Sequence, residues 1–308
     1  CDAMFGEAVV IVNDEIKKLN IDIHFKALVD KIEYSDGLYK LNVLNERICA
    51  LNVVLACGGA SYKNLGGSDK GYMLAKSIGI ECKSLRPSLC ALVTAEDLID
   101  ISGVRIKASA KLYESNITNS SENLSEVASE TGELQFTDYG ISGIMIFNLS
   151  GKAGRILEEG KKPYIIIDFL PDFDDNIIYE TFVKYNYRKP EAVLNNFIND
   201  KLAAYIIRSA ASSDKSYNIK DIVKAVHNFK LNIKELKDFD TAQVTAGGIC
   251  LEEIDPKDMS IRKLNGIYAV GELTDIDGIC GGYNLTYAIL SGIRAGESIY
   301  DKIKSDKA

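Results

Sequence analysis

Apolar residues recur at three- and four-residue spacing in the opening stretch, with Val9, Val12, Ile16 and Leu19 on one stripe, and predict a helix. The period then changes to two. Residues 21–25 alternate, and strand-like runs follow at 29–34, 39–44 and 47–50, separated by turns at Ser35-Asp36-Gly37 and Asn45-Glu46. Together they predict a small antiparallel meander. Residues 52–56 form a continuous apolar run ending at Cys57-Gly58-Gly59, the pattern of a buried strand in a parallel sheet whose C-terminal end opens on a ligand crevice. Gly66-Gly67-Ser68 follows, and then a helix with Met73, Leu74 and Ile78 on its apolar face, running to Gly79.

From about residue 82 to 171 the pattern becomes short strands and turns, with runs at 89–94, 106–112, 133–137 and 164–170, and predicts an inserted antiparallel region. Residues 117–130, rich in Ser, Asn and Glu, read as a loop or hairpin tip. The stretch 132–154 combines a strand, a glycine turn and a short helix. Helical spacing returns at 177–185, 191–198, 201–209 and 219–227, each with a charged opposite face, which predicts a helical insertion before the chain rejoins the first domain at Thr241.

The most informative stretch is 245–300. Its apolar run 267–270 ends at Gly271-Glu272, and the glycine-rich 278–282 leads straight into a helical pattern at Leu285, Ile289, Gly292, Gly296 and Ile299. A helix that starts just after paired glycines presents unpaired N–H groups and the positive end of its dipole, which suits phosphate or an electron-rich ring edge. Any single glycine pair reads first as a tight turn. Gly247-Gly248, Gly271-Glu272 and Gly281-Gly282 in one segment instead suit a backbone that approaches a flat ligand closely. Ala288, Ser291, Gly292, Ala295 and Gly296 would let the helix lie close against a sheet.

Bulk properties narrow the classes. A chain of 308 residues, 46% apolar, buries a large core and divides into two or three domains. Its net charge of −8 lacks the basic field that nucleic acid or an anionic membrane surface demands, so neither is an expected partner. Without an apolar run long enough to span a bilayer or a basic-then-apolar leader, a cytoplasmic protein is expected. Seven cysteines without a CxxC pair and only two histidines, His24 and His227, argue against a zinc site and for reduced thiols. Both histidines read as structural or surface groups. Tyr283 reads equally as a cofactor-facing or a packing aromatic.

Five pieces carry a family likeness: Ala56 to Tyr62, Gly67 to Tyr72, Gly132 to Gly143, Val244 to Gly248, and Gly271-Glu272 with Asp275 to Asn284. In this order they resemble the BaiN-like or aminoacetone-oxidase-like family of FAD-dependent oxidoreductases, over nearly the whole chain. The resemblance implies an α/β fold: a discontinuous FAD-binding Rossmann-like domain (1–84 and 241–308), interrupted by an inserted β-rich domain (85–173) and a helical subdomain (174–240). It implies FAD as cofactor, allows NAD(P)H as electron donor, and implies a small-molecule substrate. By the same likeness Gly281, Gly282, Tyr283, Asn284 and Leu285 would lie against the pyrimidine end of the flavin. Gly271 and Glu272 would reach the ribityl or pyrophosphate region, Gly247 and Gly248 would pass close to the isoalloxazine, Val29 would offer its backbone to the adenine, and Cys57 and Gly58 would flank the adenosine part. The amides after Gly281 would stabilise the reduced ring. No side chain reads as a general base, and the cysteines form no redox pair by spacing.

Two departures from the family pattern matter. Cys57 stands where the family has threonine, and no G-x-G-x-x-G with a carboxylate about 20 residues later is found, since Gly66–Gly71 has the wrong spacing and no preceding strand. The chain opens at Cys1 inside a helical pattern and is expected to be a truncated form of such an enzyme. The alternative is a non-catalytic remnant that binds FAD weakly or not at all. A flavoprotein that modifies tRNA is a third reading, disfavoured by the acidic balance. Oligomeric state is not encoded in any motif.

Overall fold

The computed structural model describes residues 12–43, 46–118, 121–211 and 218–306. Two compact units divide it, residues 1–51 and 52–308. In the first, α1 (helical over residues 12–18) precedes β1 (Val29–Ser35), β2 (Leu38–Val43) and β3 (Glu46–Ala50), an antiparallel meander in the order β1-β2-β3. Ser35 pairs with Leu38, so Asp36 and Gly37 form a two-residue hairpin, both with positive φ (58° and 80°) as a primed turn requires. Residues 21–25, predicted as a strand, are not one. Ile21, Ile23 and Phe25 are exposed, and alternation without a neighbouring edge gives the backbone no ladder to join.

The second unit begins with β4 (Val53–Leu55) and α2 (Lys70–Ser77), followed by β5 (Cys82–Ser88), β6 (Leu92–Thr94), β7 (Arg105–Thr118), β8 (Ser121–Phe136) and β9 (Gly140–Ser142). Next come α3 (Ile144–Glu158), β10 (Lys162–Asp168), the helices α4 (Asp175–Lys184), α5 (Pro190–Leu194), α6 (Asp200–Ala210) and α7 (Ile219–His227), and β11 (Phe229–Leu236). The chain closes with β12 (Val244–Ile249), β13 (Ile267–Ala269) and α8 (Tyr283–Ser305). β4 and β13 pair in parallel with Val53 opposite Ile267, and β5 pairs antiparallel with β12. The remaining strands close a barrel in the order β10-β11-β6-β9-β8-β7. The architecture is Rossmann-like α/β with an antiparallel barrel set into it, as expected from the sequence.

Three local readings change. Residues 117–130 are mostly arms of the β7–β8 hairpin, whose ladder runs out to Thr118 opposite Ser121, with 119–120 outside the described residues. Ladder bonds are made by backbone, so a polar composition does not prevent them. The helix after the Gly143 turn has 15 residues rather than a short run, and it packs against the barrel through Met145, Ile146, Leu149 and Ala153. Within the stretch 174–240 read as helical, helices end at His227, and Phe229–Leu236 is a barrel strand whose residues alternate between buried Phe229, Leu231 and Ile233 and exposed polar neighbours. The helical excursion therefore leaves the barrel at β10 and returns to it at β11. Asp174, Asn199 and Asn218 start three of its helices, each side-chain oxygen accepting the N–H two residues on. One core runs through barrel, α3 and these helices, with Phe136, Leu134, Ile165, Phe169, Ile178, Leu202 and Val226 inaccessible or nearly so.

Candidate functional site

The parallel pair β4–β13 decides where the glycine segments meet. Because the strands run in the same direction, Cys57-Gly58-Gly59 and Gly271-Glu272 emerge at the same C-terminal edge. Three side chains tie them. Thr245, at the start of β12 and fully buried, accepts the N–H of Ala60 (2.8 Å) and of Ser61 (3.1 Å) at Oγ1, which lies 3.0 Å from Ser61 Oγ. Both lone pairs of that oxygen are then engaged, which leaves its hydrogen to donate to a neighbouring oxygen. Glu272 Oε1 in turn accepts the Thr245 N–H at 2.7 Å, and Tyr72 Oη donates to the Glu272 carbonyl at 3.0 Å. Burial pushes the Glu272 carboxyl above its ordinary value, with the Thr245 contacts opposing, and burial likewise raises the Tyr72 phenol. Gly59 must lack a side chain here: a Cβ would overlap Glu272 Oε1 and come within 2.7 Å of Thr245 Oγ1.

The helix that follows is seated by small groups. Ser291 Oγ accepts the Gly271 N–H at 3.0 Å, Ala288 lies against Gly271, and Tyr287 Oη lies 3.0 Å from Thr274 Oγ1. Ser291 and Ala295 are buried as expected of a helix lying close. Gly292 and Gly296 are not part of that contact, having no atom within 4 Å of a Cβ position, and Leu285, Ile289, Leu290 and Ile293 are exposed. The apolar stripe read from the sequence therefore points away from the Gly271 turn.

At the start of α8, Gly282 takes the N-cap position in the left-handed region (φ 87°) with no side-chain cap, and no acidic residue occupies the first turn. Thr286 N–H closes the first helical bond on the Gly282 carbonyl, so the amides of Tyr283, Asn284 and Leu285 precede any intrahelical acceptor, and no group among the described residues takes them. The Asn284 side chain faces backward instead, bonding Gly278 through both N–H (2.7 Å) and carbonyl (3.0 Å). Tyr283 is exposed, its ring against the Gly281 backbone.

The remaining expected residues fall differently. Gly247 and Gly248 sit at a bulge in the β12–β5 ladder with φ of 87° and 117°. A Cβ at Gly247 would overlap the Ser84 carbonyl, and one at Gly248 would press on the Leu273 carbonyl and the Tyr72 ring, so close packing within the protein already requires both glycines. Gly58 (φ 70°) faces open space, and Cys57 lies beside Gly71, whose lack of a side chain admits it. Val29 opens β1 in the other unit and is described there alone. Thr245, Gly59, Tyr72 and Asn148 were not singled out from the sequence as ligands or supports, although Gly59, Tyr72 and Thr245 lie inside the motifs that carry the likeness; Ser291 was read only as a small residue that lets the helix lie close. His24 is exposed with Asp22 3.0 Å away, and His227 Nδ1 lies 2.8 Å from Asp168 on β10, both outside this cluster. All six described cysteines are free thiols, and among the described residues no group of His, Cys, Asp and Glu could hold a metal ion. No described helix is long and apolar enough to cross a membrane.

Comparison with known proteins places these features in a wider group. The HI0933-like protein Rossmann domain matches residues 2–298. A 3-dehydro-bile acid delta(4,6)-reductase of Clostridium scindens is 32% identical over 301 residues, spanning 94% of this chain and 71% of the relative. Ribosomal RNA dihydrouridine synthases of Escherichia coli and Haemophilus influenzae are 25% and 24% identical, spanning 94% and 97% of this chain and 70% and 74% of their own lengths.

Proposed function

Because the chain belongs to the HI0933-like Rossmann family, we propose that it is a flavin-dependent oxidoreductase that binds FAD at the start of α8 and reduces a small unsaturated molecule, with NAD(P)H as the electron donor. The observation that carries this reading is the set of amides at Tyr283, Asn284 and Leu285, uncapped and without a carboxylate in the turn. They suit the electron-rich N1–C2=O edge of an isoalloxazine. Gly282, with positive φ and nothing near its Cβ position, leaves the backbone open to a planar group, while Gly281 has the Tyr283 ring beside it. Residues at the other end fit more selectively. Gly58 is open, whereas Glu272 already holds Thr245 N–H through Oε1, leaving its second oxygen for a ribityl hydroxyl.

When bound, FAD supplies two-electron transfer. The protein's part is positional: α8 amides hold the ring edge and favour negative charge there, Thr245 and Glu272 fix the turn that flanks the adenosine, and the Tyr283 face meets substrate or ring. The relatives' names both describe more reduced products, one a bile acid derivative and the other a ribosomal RNA base. The higher identity and the net charge of −8 favour the small molecule.

Purified chain mixed with FAD and desalted is expected to stay yellow, and to bleach anaerobically with NADH or NADPH. A colourless protein that leaves FAD in the small-molecule fraction would refute the assignment.

A further inference from the structure

We propose that Asn148 is a positioning residue through which the inserted barrel sets the glycine turn in front of α8; this rests on the reading of that turn as flavin-contacting. Residues 278–282 include three glycines, and Gly281 and Gly282 adopt φ of 132° and 87°. A segment of that composition loses much conformational freedom when ordered, so its geometry depends on tethers from outside. Three are present. Asp277 Oδ2 accepts from Ser88 Oγ (2.8 Å), Asn284 clamps Gly278, and Asn148 Oδ1 accepts the N–H of Cys280 at 3.0 Å. Among the described residues the last is the one that holds the backbone N–H next to the glycine pair, Gln243 Oε1 meeting only the Cys280 thiol, at 3.9 Å.

Asn148 lies in the second turn of α3, far from Cys280 in sequence. Its Nδ2 donates to Glu130 Oε2 on β8 at 3.3 Å. The carboxylate accepts only, so it fixes which end of the carboxamide faces it and aims the oxygen at Cys280. The barrel strand β8, helix α3 and the turn thus form a polar relay, Glu130 to Asn148 to Cys280, that orients the amides beyond Gly282 without touching the ligand.

The test reads amide hydrogen exchange at Cys280 and FAD affinity in the same chain. Asn148→Leu is expected to speed Cys280 exchange about tenfold and weaken FAD binding about tenfold, the scale of one lost hydrogen bond. The midpoint potential of bound FAD should become more negative, a change that a purely structural role would not produce. Asn148→Asp alone should act like Asn148→Leu through repulsion from Glu130. Combined with Glu130→Gln it should recover both readouts, because the donor and acceptor ends are merely exchanged. Unchanged Cys280 exchange in Asn148→Leu overturns the proposal, and so does faster exchange with FAD affinity and potential unaltered. A wild-type chain that binds no FAD instead overturns the flavin reading, and Cys280 exchange then still decides whether the tether exists.

Discussion

Thr245→Val removes one oxygen and almost no volume, which makes it a sharp probe of the joint between β12 and the Cys57–Ser61 turn. The hydroxyl is the acceptor for Ala60 N–H and Ser61 N–H, at 2.8 and 3.1 Å, and both residues are buried. No other acceptor for either is present among the described residues. A buried donor left without a partner costs about 1–3 kcal/mol, so two cost about 2–6 kcal/mol, against which the added methyl recovers about 1 kcal/mol. The expected loss is about 1–5 kcal/mol. Thr245→Ser keeps the oxygen and deletes a fully buried methyl, a change of about 1 kcal/mol. The variant that leaves the larger hole should thus be the more stable one. Guanidinium denaturation followed by far-UV circular dichroism ranks them. A valine variant within about 0.5 kcal/mol of wild type, below the worth of even one such donor, would show that Thr245 does not carry these two amides.

Two further outcomes follow from the same residues. The Glu272 carboxyl is raised above 4.5 mainly by burial, so its contribution to stability is present below the unfolded pKa and is lost as pH rises through the folded one. Glu272→Gln keeps an acceptor for Thr245 N–H and should gain on wild type as pH rises from 4 to 7 in paired denaturation curves, and a gain that shrinks over that range contradicts the burial effect. Leu285→Asp puts a carboxylate into the first turn of α8, where the exposed leucine stands. It should raise stability by about 0.3–1 kcal/mol while weakening FAD binding, since the new anion competes for the same amides. Thermal melts and fluorescence titration check the opposed signs, and tighter FAD binding would remove α8 from the site.

Sequence legibility follows the range of the interaction involved. Periodicity located the helices at 201–209 and 219–227 to within a residue or so, because one face of each is apolar and an asparagine caps it. Asp36-Gly37 named its hairpin through local backbone geometry alone. The strand at 21–25 failed because alternation describes a strand's side chains and says nothing of a partner edge. The polar stretch 117–130, read as a loop or hairpin tip, does end a hairpin, but most of it is ladder rather than tip, since a long strand supplied the partner that composition did not suggest.

At the candidate site, the chain by itself determined that glycines cluster around 247–248, 271 and 281–282 and that a helix begins directly after the last pair. Only the tertiary structure decided what each is for. Gly247 and Gly248 answer to the Ser84 and Leu273 carbonyls, Gly59 to the Glu272 carboxylate and Gly281 to the Tyr283 ring, and Gly282 stands open before amides that no described group takes. A glycine records that something approaches closely, and the identity of that neighbour depends on strands and helices distant in sequence, such as β5 for Gly247 and α3 for Cys280. Pattern is a property of neighbours along the chain, whereas occupancy of the space beside a Cα is set by whichever segment the fold brings there.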